Sequence, residues 1–61
     1  MSDTLFDTTE AAHYLGGVSV RTVQREVAAG RLAAVKVRGS TRFRLSELDR
    51  YLRSRELRAT A

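Results

Sequence analysis

Apolar positions along the chain form three short helical stripes and one alternating segment. Ala11, Ala12 and Leu15 recur at helical spacing behind Thr8, a good N-cap, and Glu10 stands in the first turn, where the helix dipole favours an anion. Gly16-Gly17 ends this first helix, because glycine readily takes the left-handed conformation past a helix terminus. Ser19 caps a second helix, predicted from Val20 to Ala29 and stopped by Gly30, with Val20, Val23 and Val27 on its buried face. Ser46 caps a third: Ser46-x-x-Asp49 approximates a capping box, and Leu48, Tyr51 and Leu52 form the stripe.

Ala34–Arg38 and Arg42–Leu45 alternate strictly and predict a β-hairpin. A two-residue loop at Gly39-Ser40 would oppose Val37 to Arg42 and mix apolar with charged residues on one face. A three-residue loop, Gly39-Ser40-Thr41, pairs Val37 with Phe43 and Val35 with Leu45, so the hydrophobic face selects this register and makes Val37 and Phe43 core residues. The other face then sets Arg38 against Arg42 and Lys36 against Arg44, like charges that destabilise one another unless anions meet them. A solvated face of edge-protecting charges is the alternative.

The chain has 61 residues and no cysteine, proline or tryptophan, which leaves room for one domain with a small core and excludes disulfides and thiolate metal sites. Residues 1–4 and 58–61 are expected to be loose tails of this single domain. No apolar run approaches the length of a transmembrane helix or a signal-peptide core, so a cytoplasmic location is expected. His13 is the only histidine, and neither a GxGxxG fingerprint nor a phosphate loop is present, so neither an enzyme nor a metal or cofactor site is expected.

Charge changes the picture most. Residues 1–20 hold Asp3, Asp7 and Glu10 and no basic residue, whereas residues 21–61 hold all eleven basic residues against four acids, a local balance of +7. Ten of the eleven are arginine, the side chain that forks onto phosphates and guanine edges, although a GC-rich genome also favours its codons. On the second helix Arg21, Gln24 and Arg25 stand opposite the valines. Arg21 sits in the first turn, where the dipole disfavours a cation, and Arg21/Arg25 form a like-charge i, i+4 pair, each costing about a few tenths of a kcal/mol. Local rules broken without compensation mark functional surface.

Helix, turn, capped basic helix, basic hairpin and closing helix together read as an α+β winged helix-turn-helix with a two-stranded wing. The second helix is expected in the major groove of duplex DNA, and the wing along the backbone or in the minor groove. Candidate DNA contacts are Ser19, Arg21, Thr22, Gln24 and Arg25 from the helix, and Lys36, Arg38, Ser40, Thr41, Arg42 and Arg44 from the wing. Thr22, at the helix start, is expected to serve the cap before it serves a base.

The runs Thr8-Thr9-Glu10-Ala11-Ala12-His13-Tyr14-Leu15, Val18-Ser19-Val20-Arg21-Thr22-Val23, Gly30-Arg31-Leu32-Ala33-Ala34 and Arg42-Phe43-Arg44 resemble excisionase-type, MerR-like winged-helix domains across roughly residues 5–53. Within that likeness the turn holds one glycine more than usual, and Ala33 stands where proline is common. The resemblance implies site-specific duplex binding, either by a phage or prophage recombination directionality factor, as in actinobacterial phages, or by a small transcriptional regulator. MerR-like activators continue into a dimerisation helix and an effector domain, so a sequence ending at Ala61 is expected to be an architectural accessory of an integrase, acting in a bacterial host. With every apolar stripe assigned to the core, a monomer in free solution is expected. Copies are then expected to meet head to tail on DNA, acidic residues 1–20 beside the arginine-rich 50–58 region of the next.

Overall fold

Each helix forms where side chains or glycine settle its unpaired terminal backbone groups. The computed structural model describes residues 3–55, in the order β1 (Leu5–Phe6), α1 (Thr8–Tyr14), α2 (Val20–Ala28), β2 (Val35–Val37), β3 (Ser40–Arg44) and α3 (Leu45–Ser54). The expected tail at 58–61, Arg58 included, and residues 1–2 lie outside the described residues.

Asp7, not Thr8, caps α1. Its Oδ1 accepts the Glu10 N–H at 2.8 Å while its own N–H donates to Glu10 Oε1 at 2.9 Å, a complete capping box. At the other end Gly16 takes φ +104°, and the N–H groups of Gly16 and Gly17 donate to the carbonyls of His13 and Ala12, both at 3.0 Å. Gly17 is also left-handed, at φ +85°, so the additional glycine of the turn is absorbed as a second such residue before Ser19. Ser19 caps α2 as expected, its Oγ accepting the Thr22 N–H at 3.1 Å. The matching exit lies at Gly30, where Gly30 and Arg31 donate to the carbonyls of Val27 and Glu26 at 3.0 Å each.

The sheet has three antiparallel strands in the order β1-β3-β2, one more than the expected wing. Leu5 pairs with Arg44 and Phe6 with Phe43. In the hairpin Val35 pairs with Arg42, Lys36 with Thr41 and Val37 with Ser40. The loop is therefore the two residues Arg38-Gly39, not the three-residue Gly39-Ser40-Thr41 loop, and the pairing of Val37 with Phe43 does not form. Both loop residues have positive φ, +54° and +80°, the requirement of the tight turn whose twist matches a right-twisted hairpin. Turn geometry thus outweighs the burial of two valines: Val37 is 39% exposed on the outer face, while Phe43 is 1% exposed on the inner one.

α3 also starts differently from the sequence reading. Ser46 lies inside the helix, and Arg44, at the cap position, makes no side-chain cap bond. The Asp3 carboxylate supplies the missing acceptor from outside, bound by both the N–H and the hydroxyl of Ser46, and Leu45 N–H donates to the Thr4 carbonyl at 2.8 Å. Asp3 and Thr4 are thus anchored rather than loose. The Ser46 hydroxyl bond holds the Asp3 carboxyl below its usual pKa.

The core consists of Ala11 and Ala12 from α1, Val23 from α2, Leu32 from the connection to the hairpin, Phe43 from β3 and Leu48 from α3. Phe6, Leu15, Val20, Val27, Ala34 and Tyr51 pack around it. Leu52, expected in the stripe of the third helix, is 37% exposed, as is Val18, and Leu5 is 43% exposed on the outer sheet face. Polar ties join the helices behind this core. Tyr14 OH donates to Asp49 of α3, and Glu26 accepts from Arg31 Nε at 2.8 Å and from Tyr51 OH at 3.0 Å. Those two donors, Arg31 first, pull the Glu26 pKa down to about 2.

Phe43 is the largest fully buried side chain among the described residues, so Phe43→Ala should lower unfolding stability by about 3–5 kcal/mol in urea titration, enough to unfold much of so small a domain. A second expectation concerns acid. A carboxylate depressed from 4.5 to about 2 contributes stability that is present above pH 4.5 and lost as pH falls toward 2. Glu26→Gln should therefore be less stable than the parent at neutral pH, with the two stability curves converging through that window. Parallel curves would show that the Glu26 charge does nothing for folding.

Candidate nucleic-acid interface

α2 offers four different surfaces to its surroundings. Val20, Val23 and Val27 face the core. Thr22 and Glu26 turn toward α3, lining a cleft of about 320 Å³ with Leu15, Val18, Tyr51 and Leu52. Gln24 and Ala28 turn toward the hairpin and share a smaller cleft, about 230 Å³, with Thr8, Thr41 and Phe43. Arg21 and Arg25 project outward between these two sides, both exposed. Gln24 is exposed too, but it faces the groove between helix and hairpin rather than standing alongside the arginines.

Ser19 and Thr22 are occupied at the helix start. Their hydroxyls lie 3.0 Å apart, the Ser19 hydroxyl also accepts the Thr22 N–H, and Arg25 approaches Thr22 Oγ1 at 3.5 Å. This arrangement agrees with a capping role for Thr22. No acid stands in the first turn of α2 to offset Arg21.

The observed register redistributes the basic residues of the hairpin. Lys36 and Thr41 are cross-strand partners on the face that also carries Phe43 and looks toward the helices. Ser40, Arg42 and Arg44 lie on the opposite face, where Arg42 stands across from Val35 and Arg44 across from Leu5. Arg38 occupies the turn at the tip. The expected like-charge pairs, Arg38 with Arg42 and Lys36 with Arg44, are therefore absent, and the electrostatic strain argued from them disappears. What remains is a hairpin basic at its tip and on both faces, with Gln24 and Thr41 lining the groove toward α2. Arg42 is half-buried, its guanidinium donating to the Thr41 carbonyl at 3.0 Å.

Two other arginines are engaged elsewhere. Arg31 forms a two-pronged pair with Glu26 at 2.8 and 3.0 Å, and Arg50 forms one with Glu47 at 2.9 and 2.6 Å. The Arg50 bond, then the Ala33 N–H, holds the Glu47 carboxyl below its ordinary pKa, while burial first and Glu26 second push the Tyr51 phenol up. Arg55 sits 5.8 Å from the centre of the Tyr51 ring. Sequence reasoning did not single out Glu26 or Glu47, and placed Tyr51 only in the apolar stripe of the third helix, where it does pack against the core. Glu47/Arg50 was available as an i, i+3 pair, whereas the Glu26–Arg31 and Glu26–Tyr51 contacts depend on the fold.

Among the described residues no group of three or more His, Cys, Asp or Glu side chains is placed to hold a metal ion, and no helix is long and apolar enough to cross a membrane. No curated protein and no solved structure compared with the chain matches it. A family profile described as Helix-turn-helix domain matches residues 5–56, from the first strand to just past α3. The α1–turn–α2 unit fits that description, and the chain belongs to this helix-turn-helix domain family of DNA-binding proteins.

Proposed function

We propose that the domain binds duplex DNA at specific sites, with α2 in the major groove and the Arg38-Gly39 tip against the adjacent backbone or minor groove, as an excisionase-type architectural protein serving an integrase. One observation carries the DNA geometry. Arg21 and Arg25, exposed on α2, and Arg38, at the hairpin tip, form no ion pair among the described residues, while Arg31 and Arg50 are both tied to glutamates. Arg21, Gln24 and Arg25 are then the base readers, Lys36 and Thr41 line the inner wall, and Ser40, Arg42 and Arg44 meet phosphates from the outer face. The architectural role rests on the likeness to excisionase-type domains. A single module of this size covers about 600–1,000 Å² on DNA, so specific recognition by it calls for several copies side by side. In this reading the free protein is a monomer and its copies follow one another head to tail, with exposed Arg53 and Arg55 of one beside the N-terminal acids of the next. Those acids already serve the domain itself, since Asp3 caps α3 and Asp7 and Glu10 cap α1, so apposition on DNA must precede any such contact.

Two substitutions separate reading from positioning. Arg25→Ala should weaken binding to the specific duplex by about 1–3 kcal/mol and relax sequence preference, with the fold intact. Arg38 lies at φ +54°, a conformation asparagine tolerates better than arginine, so Arg38→Asn should raise the thermal midpoint while weakening binding to all duplexes. Mobility-shift titrations beside thermal melts decide the matter: a helix that reads bases is contradicted if Arg25→Ala discriminates as the parent does.

Assembly distinguishes the integrase accessory from a standalone regulator. Titrated on tandem direct repeats, the protein should give stepwise, cooperative complexes that bend the duplex, and light scattering of free protein should report one chain. A free dimer that prefers palindromic half-sites would instead favour a small transcriptional regulator.

A further inference from the structure

The helix and the hairpin that face DNA have little direct hold on one another. α2 packs mainly on α1, and the hairpin reaches α1 and α3 through β3. Between them runs the connection 30–34, which leaves the end of α2 through the left-handed Gly30 and enters β2 at Val35. This connection is pinned to α3 at two points. At the first, Glu26 takes Arg31 in a two-pronged pair and also accepts from Tyr51 OH, and the Arg31 carbonyl accepts the Arg50 guanidinium at 3.0 Å. At the second, Glu47 grips that same Arg50 and accepts the Ala33 N–H at 2.9 Å. Leu32, 1% exposed, is driven into the core between the two points.

We infer that Glu26 and Glu47 are positioning residues for DNA binding, fixing the spacing and angle between α2 and the hairpin so that both engage one duplex at once. The inference rests on the proposed reading that helix and hairpin share a duplex. Two contact elements on one stiff frame act like linked binding modules: the second contact follows the first at high effective concentration, and that advantage falls when the link loosens. The sign of the effect separates this role from plain electrostatics. Glu26 and Glu47 are anions in a domain that meets a polyanion, so replacing either with glutamine strengthens the attraction to phosphate. Positioning requires the opposite, a loss of affinity at the specific site.

The test compares Glu26→Gln, Glu47→Gln and the charge-neutral Tyr51→Phe with the parent, each shown by circular dichroism to be folded at the titration temperature. The probes are a duplex recovered by selection from a randomised pool with the parent protein and a random duplex of equal length. Each variant should bind the selected duplex about 5- to 20-fold more weakly. The salt slope should stay unchanged, because no phosphate contact is removed. On the random duplex the two glutamine variants should bind as well as the parent or better, and Tyr51→Phe as well. General loosening of the fold would weaken both duplexes alike and overturn the inference, as would unchanged or tighter binding to the selected duplex. If one glutamine variant does not fold, Tyr51→Phe and the other glutamine variant carry the comparison. Arg25→Ala and Arg38→Asn run alongside: if neither weakens the selected duplex, the shared-duplex reading itself fails, whereas losses there with none in the three clamp variants sink the inference alone.

Discussion

The left-handed pair Arg38-Gly39 sets the register of the hairpin, and most of the domain's surface follows from it. A two-residue turn forces Val37 opposite Ser40 and Val35 opposite Arg42, so Phe43 rather than a valine becomes the hairpin's contribution to the buried core. Phe43 then pairs with Phe6, which brings the N-terminal strand to the sheet as a third member and leaves β3 in the middle. The same register divides the basic residues between two faces and puts Arg38 at the tip. Shifting the pairing by one residue would exchange the faces of every side chain on one strand.

With six buried residues among those described, so small a core leaves much of the orientation of the elements to polar contacts. Asp3 reaches from the N-terminus to cap α3, Tyr14 ties α1 to Asp49 of α3, and the Glu26 and Glu47 pairs tie the α2–hairpin connection to α3. Partly exposed pairs of this kind contribute little stability apiece. Their value lies in direction, because bidentate arginine–carboxylate geometry is rigid where apolar packing tolerates sliding. α3 is the common anchor of all these ties, so it acts as the frame against which the helix-turn-helix and the hairpin are set.

What the sequence discloses and what it hides divide along the range of the interactions. The three helices are legible because their signals are local: the valine period of α2, Ser19 at its cap and glycines at two exits all act within a few residues. Asp7 and Thr8 are adjacent cap formers, and the structure takes the one that makes Asp7-x-x-Glu10 reciprocal, a spacing also present in the sequence. The strand Leu5–Phe6 is too short for any period to reveal it, and Asp3 caps Ser46 across forty-three residues. The register fails in sequence reasoning for a different reason. Alternation shows that two faces exist, but with only three residues in β2 the turn decides which of them is buried. The candidate site shares this division: Arg21 and Arg25 stand out as exposed cations on α2, whereas the split of Lys36 from Arg42 and Arg44, and the clamp behind α2, exist only once the chain is folded.

Three local costs fall on the two elements proposed to meet DNA. Arg21 opposes the dipole at the start of α2, Arg25 repeats its charge one turn on, and Arg38 holds a backbone angle that favours glycine or asparagine. Elsewhere a complete capping box starts α1, a hydroxyl caps α2, and Arg31 and Arg50 are matched with carboxylates. The position of Arg21, its repulsion with Arg25 and the backbone angle of Arg38 are costs to stability that contacts outside the fold can offset. In the proposed complex, a polyanion lying across α2 and the hairpin tip meets these cations and turns each into a contact. The energetic irregularities and the proposed binding face are therefore the same feature seen with and without the ligand.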